Sequence, residues 1–197
     1  MYNMAYLFTS FITTIMENNN RAKLLEAIKT KAYKEGVFTL ASGKKSSYYI
    51  NCKEVTLDAE GSLLVGKVVF DQVKEWDVTA IGGMELGSVP ISTAASLVSA
   101  MEGKPLANFI VRKESKGHGM GKKIEGKIGA GVKVAVVEDV VSTGGSTIKA
   151  IDAITEAGAE IAGIICLVDR EMGGHEAFEK RGIKFEPLFT ISEIRGG

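Results

Sequence analysis

The chain has 197 residues, which is enough for one domain with a substantial hydrophobic core. Hydrophobic residues make up 45% and charged residues 24% of the chain, as is typical of a soluble globular protein. Lysine plus arginine equals aspartate plus glutamate at 24 each, so the net charge is zero. This balance argues against a nucleic-acid-binding protein that relies on an overall positive field.

The apolar lead from Met1 to Met16 does not predict a membrane segment. It has no positively charged start and no small-residue cleavage site after it, and it is shorter than the ~20 residues that span a bilayer. We predict that residues 1–19 form an extension, either a helix packed on the body or an upstream start before Met16. Cys52 and Cys166 form no C-x-x-C pair, so they indicate a reduced, cytoplasmic setting rather than a zinc site.

The next segment predicts a helix followed by a hairpin. Apolar residues at helical spacing run from Asn20 to about Lys34, and Gly36 is expected to end that helix. Two short strands are predicted near Val37–Leu40 and Tyr48–Asn51, around a polar turn. Tyr48 and Tyr49 either pack in this hairpin or shape a flat pocket for a planar base, and both can hold at once.

The middle of the chain predicts two helices around a buried strand. Gly61 to Trp76 has the pattern of an amphipathic helix, and Thr79–Ile81 that of a strand ending in Gly82-Gly83. The turn Met84–Ser88 leads into a helix through about Met101. Paired glycines after a strand indicate close backbone approach to a ligand, although a simple tight turn is the alternative.

A basic, glycine-rich stretch from Arg112 to Gly126 follows the predicted strand Ala107–Val111. We predict neither a strand nor a helix in it. Such a loop could close over a polyanion, although a solvated loop without a ligand is the alternative. Its histidine can donate a hydrogen bond to an oxyanion or transfer a proton near pH 7. The cationic residues are Arg112, Lys113, Lys116, His118, Lys122 and Lys123.

The most informative stretch is a strand, a turn and a helix between Lys133 and Ile154. The apolar run Val134–Val137 leads into Glu138 and Asp139, and the turn Ser142–Thr147 begins a helix. Unpaired N–H groups at a helix start, close-fitting glycines and hydroxyl donors favour a phosphorylated sugar. The acids would repel the phosphate, so they should face ribose hydroxyls or a divalent metal. An ordinary corner with solvated acids is the alternative.

The last third predicts a central strand and an edge. Ile161 to Val168 is fully apolar, as a central parallel strand should be, and it ends in Asp169-Arg170. Arg170 can bind a carboxylate on a flat substrate or form a surface ion pair. A helix at Glu176–Arg181, a strand at Lys184–Pro187 and a helical turn at Ile191–Ile194 complete an α/β chain with a doubly wound, mostly parallel sheet.

Three motifs give the chain a family resemblance. The segment VVEDVVSTGGST resembles the ribose-phosphate-binding signature of the type I phosphoribosyltransferases, which use 5-phosphoribosyl pyrophosphate (PRPP). The pair Phe38–Gly43 and Ser47–Asn51 resembles the N-terminal hood of the orotate phosphoribosyltransferases. Val111–Gly119 resembles the mobile catalytic loop of that family. The resemblance extends from about Arg21 to the end.

This resemblance implies one domain over residues 1–197 with the type I phosphoribosyltransferase fold, a hood at about 20–55 and a core at about 60–190. The implied reaction transfers the phosphoribosyl group from PRPP to orotate, giving orotidine 5′-monophosphate and pyrophosphate in pyrimidine synthesis. The resemblance also implies Mg²⁺ carried by PRPP without a dedicated protein cage, with Glu138 and Asp139 as candidate ligands. A homodimer is implied as well, in which loop 112–124 reaches the neighbouring site.

The resemblance also assigns roles to individual residues. The implied catalytic residues are Lys113, Lys116, His118 and Asp139. The implied PRPP-binding residues are Arg112, Lys113, Lys116, His118, Glu138, Asp139, Val140, Val141, Ser142, Thr143, Gly144, Gly145 and Ser146. The implied orotate-binding residues are Ser142, Arg170, Tyr48 and Tyr49.

Several positions depart from the commonest pattern of the family. Ala41 and Leu86 stand where many members have lysine, Gly117 replaces a frequent aspartate, and the first acid is Glu138. The two missing lysines put the affinity for pyrophosphate in question, and Lys44 and Lys45 are candidates to compensate for one of them. Two other hypotheses remain open: a phosphoribosyltransferase for another base, and a non-catalytic regulator that binds PRPP.

Overall fold

The structure is a computed structural model that describes residues 19–39, 43, 45–114 and 123–196. The predicted extension therefore lies almost entirely outside the described residues, and the predicted division into hood and core stays a prediction. The helices are α1 (19–27, continued by a π-helical turn at Ile28–Ala32), α2 (Lys53–Thr56), α3 (Ala59–Val73), α4 (Ser88–Met101), α5 (Gly145–Glu156), α6 (Gly174–Glu179) and α7 (Ile191–Arg195). The strands are β1 (Tyr33–Thr39), β2 (Lys45–Ile50), β3 (Ala80–Met84), β4 (Ala107–Val111), β5 (Ile124–Glu125), β6 (Lys133–Val141), β7 (Glu160–Asp169) and β8 (Phe185–Thr190).

Six of these strands form one sheet in the order β5-β4-β3-β6-β7-β8. All neighbouring pairs are parallel except β4 and β5, which are antiparallel. The chain first builds outward from β3 to β5 and then continues from β6 in the other direction. The prediction of an α/β fold with a mostly parallel, doubly wound sheet is confirmed.

Helices cover both faces of this sheet, because alternate residues of each buried strand point to opposite sides. On β6, Ala135 and Val137 belong to one apolar cluster together with residues of α3 and α4. Val134 and Val136 belong to a second cluster with residues of α5. Full burial of each of these valine side chains contributes roughly 1.5–3 kcal/mol, so packing on both faces stabilises β6.

The apolar run predicted as a central strand is β7, and its buried position is confirmed. Ile164, Ile165 and Leu167 are at most 1% exposed. β8 pairs with β7 and lies at the edge of the sheet, as predicted for this segment. Its range, Phe185–Thr190, is shifted toward the C-terminus relative to the prediction.

The hairpin of β1 and β2 begins earlier than predicted. Lys34 lies in β1 and not in a helix, because Tyr33 already pairs with Ile50. Gly36 does not end a helix. It lies in an irregularity of the β1–β2 pairing and has φ of +152°, a conformation that favours glycine.

The paired glycines of the middle segment have a different role from the predicted one. Gly82 and Gly83 lie inside β3, and the turn that follows is formed by residues 85–87. A Cβ atom on Gly82 would lie 2.0 Å from the carbonyl oxygen of Phe109, and one on Gly83 would lie 2.2 Å from that of Val137. The absence of a side chain at Gly82 and Gly83 thus admits the neighbouring strands.

The predicted loop between β4 and β6 contains a short strand that the sequence analysis missed. Ile124 and Glu125 form β5 and pair with Val111 and Ile110. Two residues are too few for a pattern of alternation, so this strand had no sequence signal. Residues 115–122 of the loop, including Lys116 and His118, lie outside the described residues. Among the described helices, none is long and apolar enough to cross a membrane.

Candidate active site

Two turns meet where the order of the sheet reverses, between β3 and β6. β3 leads into the turn of residues 85–87, and β6 leads into the turn of residues 142–144. A Cβ atom on Gly87 would lie only 2.3 Å from Oδ1 of Asp139, so the first turn lies directly against this acid. The carboxyl ends of parallel strands at such a reversal form the usual ligand crevice of open α/β sheets.

The start of α5 offers free backbone donors to this crevice. Its N-cap residue is Gly144, which has φ of +78° and no side chain to accept a hydrogen bond from the first turn. A Cβ atom on Gly144 would lie 2.8 Å from the ring of Phe178, whereas one on Gly145 would meet nothing within 4 Å. The helix start therefore combines open space, unpaired N–H groups and the positive end of the helix dipole, which suits an anion.

Glu138 is buried against the same helix start and is only 6% exposed. It accepts hydrogen bonds from Ser146 Oγ at 3.3 Å, from Thr147 Oγ1 at 3.4 Å and from the N–H of Asp139 at 3.1 Å. Burial, followed by the neighbouring charge of Asp139, raises the pKa of Glu138 to about 8. Without a ligand, Glu138 is therefore mostly protonated at neutral pH.

Asp139 forms an ion pair with a residue that the sequence analysis did not single out. Lys53 Nζ lies 2.8 Å from Asp139 Oδ2, and the N–H of Val140 donates to Oδ1 at 3.0 Å. Burial lowers the pKa of Lys53, but the hydrogen bond to Asp139 and the charge of that residue outweigh burial, so the pKa is raised. Lys53 is 86 positions from its partner and has no local motif, so only the fold reveals it.

Three of the four residues predicted to bind a planar base are brought together. Arg170 Nε donates to the hydroxyl oxygen of Tyr48 at 3.0 Å, and Arg170 Nη1 donates to Ser142 Oγ at 3.4 Å. The Arg170 guanidinium carbon also lies 4.9 Å from the centre of the Tyr48 ring. Tyr49 points to the other face of the hairpin, where its ring lies 5.6 Å from that of Phe38, because successive strand residues alternate. The structure does not bring Tyr49 to this cluster.

The described ends of the basic loop are fixed beside the first turn. The N–H of Lys113 donates to Glu85 Oε1 at 2.9 Å, while the lysine side chain itself is exposed. Arg112 forms an ion pair with Glu125 at 3.5 Å, and its N–H donates to the carbonyl oxygen of Lys123 at 2.8 Å. The loop therefore leaves and re-enters the sheet next to the crevice. Glu85, which anchors it, was also missed by the sequence analysis.

Comparison with known proteins identifies this arrangement. Residues 64–188 match the model of the phosphoribosyl transferase domain family. The chain therefore belongs to the phosphoribosyltransferases, and within them to the orotate phosphoribosyltransferases, as the following relatives show. The orotate phosphoribosyltransferase of Aquifex aeolicus (strain VF5) is 46% identical over 180 residues, which cover 91% of this chain and 98% of the relative.

Solved structures give the same result. The crystal structure of Mycobacterium tuberculosis H37Rv orotate phosphoribosyltransferase in complex with Fe(III) dicitrate is similar with a TM-score of 0.79 and 34% identity, covering 89% of this chain and 98% of that one. The same enzyme in complex with PRPP is similar with a TM-score of 0.73 and 28% identity, covering 89% and 92% of the two chains. The resemblance seen in the sequence motifs is confirmed.

The buried acid generates a prediction about stability and pH. The pKa of Glu138 is raised from an ordinary value of 4.5 to about 8, so the folded state favours the protonated form. Protonated Glu138 therefore makes its full contribution to the stability of the folded state below about pH 4.5, and this contribution is lost as the pH rises through about 8. Glu138→Gln keeps an acceptor for the two hydroxyl groups but carries no charge. We therefore expect its melting temperature to rise relative to the wild type as the pH increases from 6 to 9.

Thermal melting without PRPP or metal checks this expectation. Glu160→Gln is the control, because the side chain of Glu160 is 72% exposed and forms only a long ion pair with Lys133. This variant should track the wild type across the same pH range. A difference in melting temperature between Glu138→Gln and the wild type that stays constant from pH 6 to pH 9 would contradict the conclusion that Glu138 is buried in its protonated form.

Proposed function

We propose that the chain transfers the phosphoribosyl group of PRPP to orotate, releasing pyrophosphate and forming orotidine 5′-monophosphate for pyrimidine synthesis. The observation that carries this proposal is the contact of Arg170 with Ser142 and Tyr48 beside the open start of α5. A site for a flat anionic base thus adjoins a site for a sugar phosphate. The names of the relatives support the same substrate.

PRPP would bind with its 5-phosphate on the turn from Ser142 to Ser146. The free N–H groups of α5, the hydroxyl donors and the open space over Gly145 favour an anion there. The ribose hydroxyls would then reach Glu138 and Asp139 at the end of β6. The diphosphate would extend toward the turn of residues 85–87, which lies against Asp139.

The reaction breaks the bond between the anomeric carbon and the diphosphate oxygen and forms a bond from that carbon to a ring nitrogen of orotate, and the proton of that nitrogen is released to solvent or to the pyrophosphate. Positive charge develops on the sugar, and negative charge develops on the leaving group. Lys113, Lys116 and His118 are proposed to stabilise the leaving group when the loop closes. A preorganised donor in known oxyanion sites contributes ~3–4 kcal/mol to transition-state stabilisation. Closure would also exclude water that could hydrolyse PRPP.

The residues at the end of β6 fit a magnesium ion that is held mainly by the substrate. Mg²⁺ prefers carboxylate oxygens and water and is often bound through one or two carboxylates plus substrate phosphates. Glu138 and Asp139 would hold it from the protein side. When bound with PRPP, Mg²⁺ would neutralise charge on the diphosphate.

Orotate carries a carboxylate and ring carbonyl groups in one plane. The planar guanidinium of Arg170 can bind such oxygens through two parallel hydrogen bonds, and the half-buried Tyr48 ring orients it. Ser142 lies at the junction of the two sites, since it begins the phosphate turn and contacts Arg170. An anionic, flat base next to the ribose would satisfy both contacts.

The direct test is an assay of base consumption with PRPP and Mg²⁺. We expect orotate to be consumed with stoichiometric release of pyrophosphate, and adenine, hypoxanthine and uracil to react far more slowly, because they lack a carboxylate for Arg170. Consumption of one of the other bases in preference to orotate would show a phosphoribosyltransferase of different specificity. Binding of PRPP without turnover of any base would show a non-catalytic regulator.

Arg170→Ala tests the acceptor site. Loss of a charge-assisted, two-point contact costs about 1.5–3 kcal/mol or more, so kcat/KM for orotate should fall at least about 10-fold. The dissociation constant of PRPP, measured by calorimetry, should change little. Arg181→Ala is the control, because Arg181 forms an exposed ion pair with Asp152 on the surface. Equal losses of activity in both variants would refute the assigned role of Arg170.

Three exposed leucines form an apolar patch beside the site. Leu57, Leu86 and Leu97 are each more than 60% exposed and line a cavity of about 470 Å³ together with Val89 and Pro90. We propose that the chain is a homodimer and that a second copy covers this leucine patch. A copy seated there would lie next to the turn of residues 85–87, so its loop 112–124 could reach the neighbouring site.

Leu97→Glu tests this interface, because a charge in the centre of an apolar contact is costly to bury. We expect the wild type to sediment as a dimer and Leu97→Glu as a monomer in analytical ultracentrifugation. Met172→Glu is the control, since Met172 is an exposed apolar residue that does not line the cavity. A monomeric wild type, or a dimeric Leu97→Glu variant, would exclude this interface.

A cytoplasmic location is the last part of the proposal. Cys52 and Cys166 are both free and buried, and burial raises the pKa of each thiol. Such thiols remain reduced and unreactive, which suits a reducing compartment.

A further inference from the structure

Lys53 joins the N-terminal segment to the carboxyl edge of the main sheet. It is the first residue of α2, which follows the hairpin, and its Nζ atom lies 2.8 Å from Asp139 Oδ2 on β6. Its side chain is 38% exposed, whereas that of Asp139 is 14% exposed. The ammonium therefore covers the acid from the open side of the crevice and has access to solvent.

The position of Lys53 relative to the first turn is equally specific. Gly87 of that turn lies against the carboxylate of Asp139, so Lys53 contacts the carboxylate that adjoins the turn. Lys53 and Leu86 also line the same cavity. The lysine thus contacts the acid proposed to hold the ribose and lines the same cavity as the turn proposed to face the diphosphate.

The surrounding charge favours a cation at this place. Glu85 and Asp139 both lie around the crevice, and the diphosphate of PRPP would bring several more negative charges to it. Arg112, at the described end of the basic loop, is already paired with Glu125 at 3.5 Å. The turn itself presents the apolar Leu86, which is 64% exposed. Lys53 has a long, flexible stem and a compact charge that can move between two anions a few ångströms apart.

We propose that Lys53 is a further substrate-binding residue. Its ammonium neutralises Asp139, and it also binds the diphosphate group of PRPP, or free pyrophosphate, when either occupies the crevice. This inference rests on the proposed function, because it assumes that the ligand of the crevice is PRPP. No covalent step involves Lys53, and the same contact serves pyrophosphate as the product.

Lys53→Met tests the proposal, because methionine keeps an unbranched apolar stem and removes the charge. Removing a charge-assisted hydrogen bond lowers the affinity for the ligand by about 10-fold to 100-fold. We expect both the KM for PRPP and the calorimetric dissociation constant of magnesium pyrophosphate to rise by this factor. The KM for orotate should change less than threefold, a change that corresponds to about half a kcal/mol. Lys53→Arg should retain most of the affinity.

Two further variants make the test independent of a general loss of structure. Lys133→Met is the matched control, because Lys133 lies at the opposite end of β6, has a side chain that is 35% exposed and pairs with Glu160. It should leave pyrophosphate affinity unchanged. Lys53→Arg is the second variant, because a cation kept at residue 53 should preserve most of the pyrophosphate affinity.

The outcomes separate this inference from the proposed function. Suppose that the wild type turns over orotate and that Lys53→Met binds pyrophosphate as tightly as the wild type, whether or not this variant melts at a lower temperature. The role of Lys53 is then refuted, and the proposed function stands. If the wild type binds pyrophosphate but uses no orotate, and Lys53→Met weakens that binding, the proposed function fails and the role of Lys53 stands. Equal weakening in Lys53→Met and Lys133→Met would also refute the role of Lys53.

Discussion

The site depends on the close approach of two turns at the reversal of the sheet. Gly87 lies so near Asp139 that a methyl group on it would overlap the carboxylate. The parallel pairing of β3 and β6 sets the separation of the two turns, and the apolar clusters on both faces hold those strands in place. The packed strands therefore fix the position of the two turns relative to each other.

The free protein satisfies its own acids before any ligand arrives. Glu138 accepts hydrogen bonds from Ser146 and Thr147, and Asp139 is paired with Lys53. A ligand that contacts the two acids has to replace or extend these contacts, whereas an anion at the uncapped start of α5 does not.

The parts of this site that are local in sequence could be predicted, and the parts that join distant segments could not. The strand, the acids and the helix start around Glu138 to Ser146 lie within one short stretch, so composition and spacing were sufficient to predict that they lie together. The opposite orientation of Tyr48 and Tyr49 follows from the period of a strand, and it was available from the sequence because the predicted strand Tyr48–Asn51 contained both residues. The pairing of Lys53 with Asp139 links residues 86 positions apart. Glycines 82 and 83 were misread because close approach by a neighbouring strand and by a ligand leave the same sequence signal.

The N-terminal segment reaches the site at two separate points, and this has a consequence for specificity. Tyr48 of β2 contacts Arg170 on the side of the base, whereas Lys53 of α2 contacts Asp139 on the side of the sugar. Only a few residues separate the two, and the segment between them is tied back by the N–H of Asn51, which donates to the carbonyl oxygen of Ala32. A displacement of this segment would therefore disturb both contacts together. Under the proposed function, one segment supports the residues for the base and those for the phosphorylated sugar, so a substitution that displaces this segment should weaken the binding of both substrates.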